Sequence, residues 1–231
     1  MIRVTENFRK IQDLLAKAAV EAGRAPETVK LLAASKSQPA DIVLEAASCG
    51  QLDFGENFVQ EAISKMQGPG RDNLIWHFIG RLQSNKTRSV AEHFAWVHTV
   101  DRLKIAQRLS SQRPHYAEPL NVCVQINIDN ESGKSGAAPE DAVALAQAVA
   151  ALPRLELRGF MCIPEARHEF SEQRKPFAKM RALADTLRTA GVDTDTLSMG
   201  MTLDYAAAIR EGATIVRIGT ALFGPRKASN K

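Results

Sequence analysis

The chain has 231 residues, 45% of them hydrophobic and 24% charged, with a formal net charge of +4 and a pI near 9.0. Such a chain buries a sizeable core as an ordinary globular protein, which excludes low-complexity and collagen-like classes. Runs of apolar residues stay below the ~18 a membrane span needs, and basic residues do not gather with aromatics as a nucleic-acid surface requires.

In chain order, Phe8, Ile11, Leu14, Leu15 and Ala18 share one face of a helix over 6–22, which Gly23 ends. Charges run through its start, "MIRVTENFRKIQDLL", so it is not a signal peptide. Apolar runs of strand length then follow at 29–34, 52–54, 74–79, 95–100, 120–128, 155–163, 196–199 and 214–218. Helical patterns separate them at 39–48, 58–66, 84–92, 102–112, 139–151, 170–190 and 203–211. Alternating strands and helices imply βαβ units and a parallel sheet. Eight such units predict a single-domain (β/α)8 TIM barrel over 1–231, with an extra N-terminal helix in 1–28 and a flexible tail at 225–231. An open doubly wound sheet would begin with a glycine-rich turn. The first turn here reads "SKSQP".

Barrel active sites form where strands end and βα loops begin. Polar residues and glycines collect there: Lys36, "GEN" at 55–57, His77 with "IGR", "HTVD" at 98–101, "NIDNESGKSG" at 127–136, "MCIPE", "SMGMT" at 198–202 and "RIGT" at 217–220. Loops after the last two strands of such barrels often bind phosphate through backbone N–H groups and hydroxyls. Ser198, Gly200 and Thr202 on one loop, and Gly219, Thr220 and Gly224 on the other, have that chemistry. Arg217 alternates with Val216 and Ile218, so it shares a face with Ile215. If that face is inward, its guanidinium needs an acceptor such as a heteroaromatic nitrogen or a carboxylate. Lys36 ends the first strand, beside the last one in a closed barrel, where an amine can form a Schiff base. An amine, a phosphate cradle and an arginine suited to a ring nitrogen are the contacts that pyridoxal 5′-phosphate (PLP) needs.

The blocks "LLAASKSQP", "FGENFVQE", "WHFIGRLQSNK", "HTVDR", "VQINIDNESGKSG", "LRGFMCIPE" and "LSMGMTLDYAAAIREGATIVRIGTALFG" span Lys30 to Gly224. In that order they resemble the PLP homeostasis protein family, whose barrel is similar to the N-terminal domain of alanine racemase. The resemblance implies PLP held on Lys36, its phosphate on Ser198, Gly219 and Thr220, its pyridine nitrogen facing Arg217, and Asn57 and His77 nearby. It implies a cytoplasmic protein that buffers PLP or delivers it to apo-enzymes, without amino-acid turnover of its own. Two positions depart from the family pattern: Gln38 stands where many members have a second lysine, and Thr202 where serine is common.

Other signals point elsewhere or nowhere. Gly133-Lys134-Ser135 lacks the glycine a phosphate-binding P-loop needs five residues earlier, where Ile128 stands. Asp101 is expected to cap the following helix rather than pair with His98 in acid–base chemistry. The five histidines lack metal spacing, and Cys49, Cys123 and Cys162 form no CxxC pair, so reduced thiols and no metal are expected. The alternative function is a racemase-like PLP enzyme. That needs a second base, and Tyr116 and Tyr205 are poorly placed to supply one. With no second domain after the last strand, a monomer is expected.

Overall fold

In the computed structural model, which describes residues 4–224, parallel strands close into a barrel in chain order. The strands are β1 (Lys30–Ala34), β2 (Asp53–Glu56), β3 (Ile75–Phe78), β4 (Trp96–Val100), β5 (Leu120–Ile126), β6 (Leu155–Cys162), β7 (Thr196–Ser198) and β8 (Ile215–Ile218). Around them lie α1 (Val4–Glu21), α2 (Ala40–Ser48), α3 (Val59–Met66), α4 (Thr87–His93), α5 (Leu103–Gln112), α6 (Ala142–Ala150), α7 (Phe170–Thr189), α8 (Tyr205–Arg210) and the short α9 (Thr220–Phe223). The expected (β/α)8 architecture is therefore the observed one. The tail at 225–231 lies outside the described residues.

Period-2 alternation divides each strand between two cores. Ala33, Phe54, Trp76, Phe78, Val97, Leu197, Val216 and Ile218 point outward into the large core under the helices. Leu32, Trp96, Cys123, Met161 and Ile215 form a second, smaller core inside the barrel. The residues that alternate with the outward set must also face in. They include Asp53, His77, His98, Ser198 and Arg217, all buried.

Helix α1 covers the seam where the barrel closes, packing on α8, α9 and α2. Val4, Phe8, Ile11, Leu15, Ala18 and Ala19 are its buried face. The Asn7 side chain donates to Leu222 O at 3.0 Å, and Arg24 donates to Ala213 O at 2.7 Å and Ile209 O at 3.0 Å. With α8 and α9 short, an added helix is what shields β8 and β1 from water.

Four expected strand ends overran, those of β3, β6 and β7 by one residue and that of β5 by two. Strand β5 stops at Ile126 because Asn127 N–H leaves the ladder for Ala137 O at 2.9 Å, folding the loop back on its own strand. Gly136 belongs to that fold-back: its φ is +128°, and a Cβ there would lie 2.5 Å from Asn127 N. Gly136 of "ESGKSG" thus serves close backbone packing, while Gly133 supplies a positive φ of +81° with open space beside it.

Strand β6 carries the tightest constraint. Gly159 has φ +143°, and a Cβ would lie 2.1 Å from Thr196 O on β7, beside the register shift at Val122/Cys123. Gly159→Ala should lower unfolding free energy by at least ~1–3 kcal/mol, the cost of one strained residue. Urea denaturation measures it, and an unchanged midpoint would contradict this role.

Candidate functional site

Inside the barrel the inward polar residues form one connected chain. Lys30 Nζ lies 3.1 Å from Asp53 Oδ1, and the same oxygen is 2.9 Å from His77 Nε2. His77 Nδ1 is 2.9 Å from His98 Nε2, and His98 Nδ1 is 2.8 Å from Ser198 Oγ. Arg217 Nη1 donates to that hydroxyl at 2.8 Å and to Ser198 O at 2.5 Å, and Nη2 donates to Cys162 O at 2.8 Å. The chain starts at the N-terminal rim with Lys30 and ends near the C-terminal rim with Arg217.

Burial governs the charges along it. Both imidazoles are fully buried, and desolvation lowers their pKa values, His98 well below the ordinary histidine value. Burial would raise the Asp53 carboxyl, but the hydrogen bonds and charges of His77 and Lys30 outweigh it and leave it below the usual value. Desolvation also lowers the Arg217 pKa. Burial pushes the Cys123 and Cys162 thiols up to about 12, so they stay protonated and inert.

Arg217 sits inside the barrel, on the face it shares with Ile215 of the inner core. Three guanidinium bonds go to uncharged oxygens. Among the described residues no carboxylate lies within ion-pairing distance, and Asp204 acts on the buried charge only through space. Two of the five guanidinium N–H donors remain for a ligand.

Lys36 lies two residues beyond β1, half-buried in a tight turn rather than on the strand. Gln38 N–H closes the turn on Ser35 O at 3.0 Å, and Ser37 adopts φ +61°. A buried cluster outside the barrel braces it. Ser35 Oγ donates to Glu56 Oε1 at 2.6 Å, and Ser37 N–H donates to Glu61 Oε1 at 2.6 Å. Lys65 Nζ reaches Ser35 O at 2.8 Å, Glu56 Oε1 at 2.7 Å and Glu61 Oε1 at 2.6 Å.

Beyond the C-terminal ends of β2 to β6, a cavity of about 270 Å³ opens among Asn57, Ile79, Thr99, Gln125, Asn127, Lys134 and their neighbours. Asn57 Oδ1 and Thr99 Oγ1 are buried without a partner. Gly80 lets Asn57 approach, since a Cβ there would lie 2.1 Å from Asn57 O. Lys134 lines the cavity while paired with Glu131.

The two candidate phosphate loops adjoin. Arg217 N–H donates to Gly200 O at 3.0 Å, tying β8 to the "SMGMT" loop. Gly219 abuts β1, where a Cβ would sit 3.2 Å from Ala34 O. Thr202 is half-buried and Thr220 exposed at this rim.

Three expectations change. The Ser198 hydroxyl faces the interior, engaged by His98 and Arg217, because period-2 alternation turns it opposite to Leu197 and Met199. His77 lies deep in the barrel with both ring nitrogens occupied. Asp101 does not cap α5: its carboxylate is taken by the neighbouring Arg102 guanidinium at 2.6 Å, and the helix start has no side-chain cap. Asp53, His98, Glu56 and Lys65 had not been singled out for these roles. The signal was present for Asp53 and His98, since each is a polar residue inside a buried strand, as Arg217 is.

Residues 3–227 match the family model described as alanine racemase, N-terminal domain. The pyridoxal phosphate homeostasis protein of Pseudomonas aeruginosa is 56% identical over 226 residues, covering 98% of this chain and 97% of that protein. This chain belongs to the pyridoxal phosphate homeostasis family. The homeostasis protein of Escherichia coli K12 is 49% identical over 231 residues, covering 99% of both chains. The structure of PipY from Synechococcus elongatus with PLP bound has a TM-score of 0.83 and 34% identity, covering 96% of this family member and 100% of PipY. A Clostridium difficile alanine racemase shares the fold, with a TM-score of 0.71 and 19% identity over 97% of this chain and 58% of the racemase.

The brace around Lys36 makes a stability prediction for this family member. Glu56 is fully buried, with Lys65 as its cation at 2.7 Å. Lys65→Met should destabilise the fold by about 3–5 kcal/mol, because it strands a buried carboxylate. Thermal or urea unfolding of the variant checks this, and Lys65→Met with Glu56→Gln should recover part of the loss.

Proposed function

We propose that this chain binds PLP at the C-terminal rim of its barrel, covalently through Lys36, and holds it in reserve for vitamin B6 homeostasis. The observation that carries this reading is Arg217. A buried guanidinium with uncharged partners and two donors to spare suits a ring nitrogen, an acceptor that needs no charge of its own. The names of the homeostasis relatives and the PLP-bound PipY support the same ligand.

The residues present fit that group. Gly219 packs closely against Ala34 of β1 just before α9, and Thr202 and Thr220 supply hydroxyls at the same rim. With Ser198 turned inward, we assign the phosphate to Thr202, Gly219 and Thr220. Asn57, whose buried Oδ1 has no partner, faces the remaining polar edge of the ligand. When bound, PLP supplies an aldehyde that an amine captures reversibly, which suits storage and release. The Glu56–Lys65–Glu61 brace holds the Lys36 turn in place for that capture.

Turnover of amino acids requires an acid or base within ~3 Å of the substrate proton. His77 carries an imidazole on β3, but both its nitrogens are engaged inside the barrel. Tyr116 is 92% exposed, which does not suit a base inside a site. We therefore propose a carrier that is not an enzyme, composed as one domain over 1–231 and acting as a monomer in the cytoplasm, with apo-enzymes that need PLP as recipients. Among the described residues, no helix is long and apolar enough to cross a membrane, and no metal-binding cluster occurs.

Borohydride treatment of the PLP-loaded protein should fix a pyridoxyl group on Lys36, located by peptide mapping. Undiminished labelling of Lys36→Ala would overturn the assignment. Incubation of the loaded protein with common L-amino acids should give racemisation, ammonia and keto-acid release all below about 1 s⁻¹, the lower end of ordinary enzyme rates.

A further inference from the structure

The column of polar side chains inside the barrel has a direction that the geometry fixes. A guanidinium only donates, and an ionised carboxylate only accepts. Asp53 at one end therefore requires the proton on His77 Nε2, 2.9 Å away. In a neutral ring, Nδ1 of His77 must then accept, so His98 carries its proton on Nε2. Nδ1 of His98 must accept in turn, so the Ser198 hydroxyl donates to it. That leaves the lone pairs of Ser198 Oγ for Arg217, whose Nη1 lies 2.8 Å away. Each link fits the next, and every hydrogen points from Arg217 towards Asp53.

We propose that Asp53, His77, His98 and Ser198 are positioning residues that hold Arg217 in place through this single directed chain. Its ends explain why it is long. The only carboxylate in the chain lies at the opposite rim, paired with Lys30 and His77. The groups that touch Arg217 are a hydroxyl and two backbone carbonyls. The guanidinium is thus immobilised with no carboxylate in contact, Asp204 acting on it only through space, and its charge stays available to whatever occupies the rim. A carboxylate in the place of Ser198 would hold the arginine as firmly and cancel that charge. Burial keeps both imidazoles neutral, which the directed chain requires. Two neutral histidines act as spacers between an arginine and its distant acid. A fully connected buried network of this kind also resists rearrangement, because each broken link strands a polar group in a low-dielectric interior.

The proposal rests on the reading that Arg217 faces the PLP ring, and the test separates the two. Histidine-selective ¹⁵N NMR of the PLP-free protein at pH 7 should show His77 and His98 as neutral Nε2–H tautomers. Either ring as Nδ1–H, or doubly protonated, would overturn the directed chain. Asp53→Leu removes the terminal acceptor and lets the chain invert, so the His98 Nδ1–H tautomer should appear and the Arg217 Nε–H resonance should shift. Its PLP affinity should fall about two- to thirtyfold, the span of couplings carried by such networks. Asp53→Asn keeps an acceptor and should restore both signals towards wild type. A folded Asp53→Leu with unmoved His98 and Arg217 resonances would sink the proposal. If Asp53→Leu does not fold, Ser198→Ala cuts the chain at its other end by a single oxygen, and the same two resonances decide. If the tautomers are as expected but borohydride leaves Lys36 unlabelled, the PLP reading fails and the chain stands.

Discussion

A guanidinium inside a parallel barrel has few ways to be satisfied. Its donors must meet acceptors, and the strands around it have spent their backbone groups on the ladder. Arg217 meets this constraint with carbonyls at the frayed ends of two neighbouring strands and with one inward hydroxyl. Ser198 O and Cys162 O are accessible because β7 and β6 both end there. Everything polar beneath follows from that hydroxyl: Ser198 needs a partner, its partner His98 needs another, and the sequence of needs ends only at an ion, Asp53. The apolar residues Leu32, Trp96, Cys123, Met161 and Ile215 fill the rest of the interior and keep water from supplying those partners.

The same strands run a second polar cluster on their outer face. Glu56 follows the inward Gly55 and so points outward, where Lys65 of α3 meets it. An isolated buried ion pair contributes little to stability and can cost it. Here the pair also gathers Ser35 O, Ser35 Oγ and Glu61, so it fixes the path of the chain on both sides of Lys36. Two independent polar assemblies, one inside the barrel and one outside, converge on the same rim. One positions a cation, the other a turn bearing an amine. A ligand with a ring nitrogen, an aldehyde and a phosphate can touch both.

This arrangement divides labour between rigid and adaptable parts. Arg217 and its supports lie on strands and are buried. Lys36 and Thr202 lie on loops and Thr220 at the start of α9, all at the rim with part of their surface open. On the proposed reading, the ring is held firmly by Arg217 while Lys36, the attachment point, stays accessible for uptake and release. The occupied nitrogens of His77 fit the same pattern, since they are committed to structure rather than to proton transfer.

The sequence by itself determined the order and kind of the elements, the closed barrel, and the face that Arg217 shares with Ile215. These follow from hydrophobic periodicity, which is local: a run of four or five residues states its own two faces. It also placed Lys36 near β8, since consecutive βα units bring the first strand beside the last. What it left open was which inward residues touch. Ser198 and His98 are 100 residues apart, and His77 and Asp53 are 24 apart; only barrel closure and strand register bring them within 3 Å. The expectation that Ser198 held a phosphate came from its place in a loop motif, and register turned its hydroxyl the other way, towards Arg217. Asp101 went wrong for a similar reason, because an adjacent arginine took the carboxylate that a helix start would otherwise have used. Lys65 reads in sequence as one more helical lysine, and only packing against β2 makes it the buried partner of Glu56. Periodicity specifies faces, while the identity of a partner across a face depends on three-dimensional closure, which no local pattern contains.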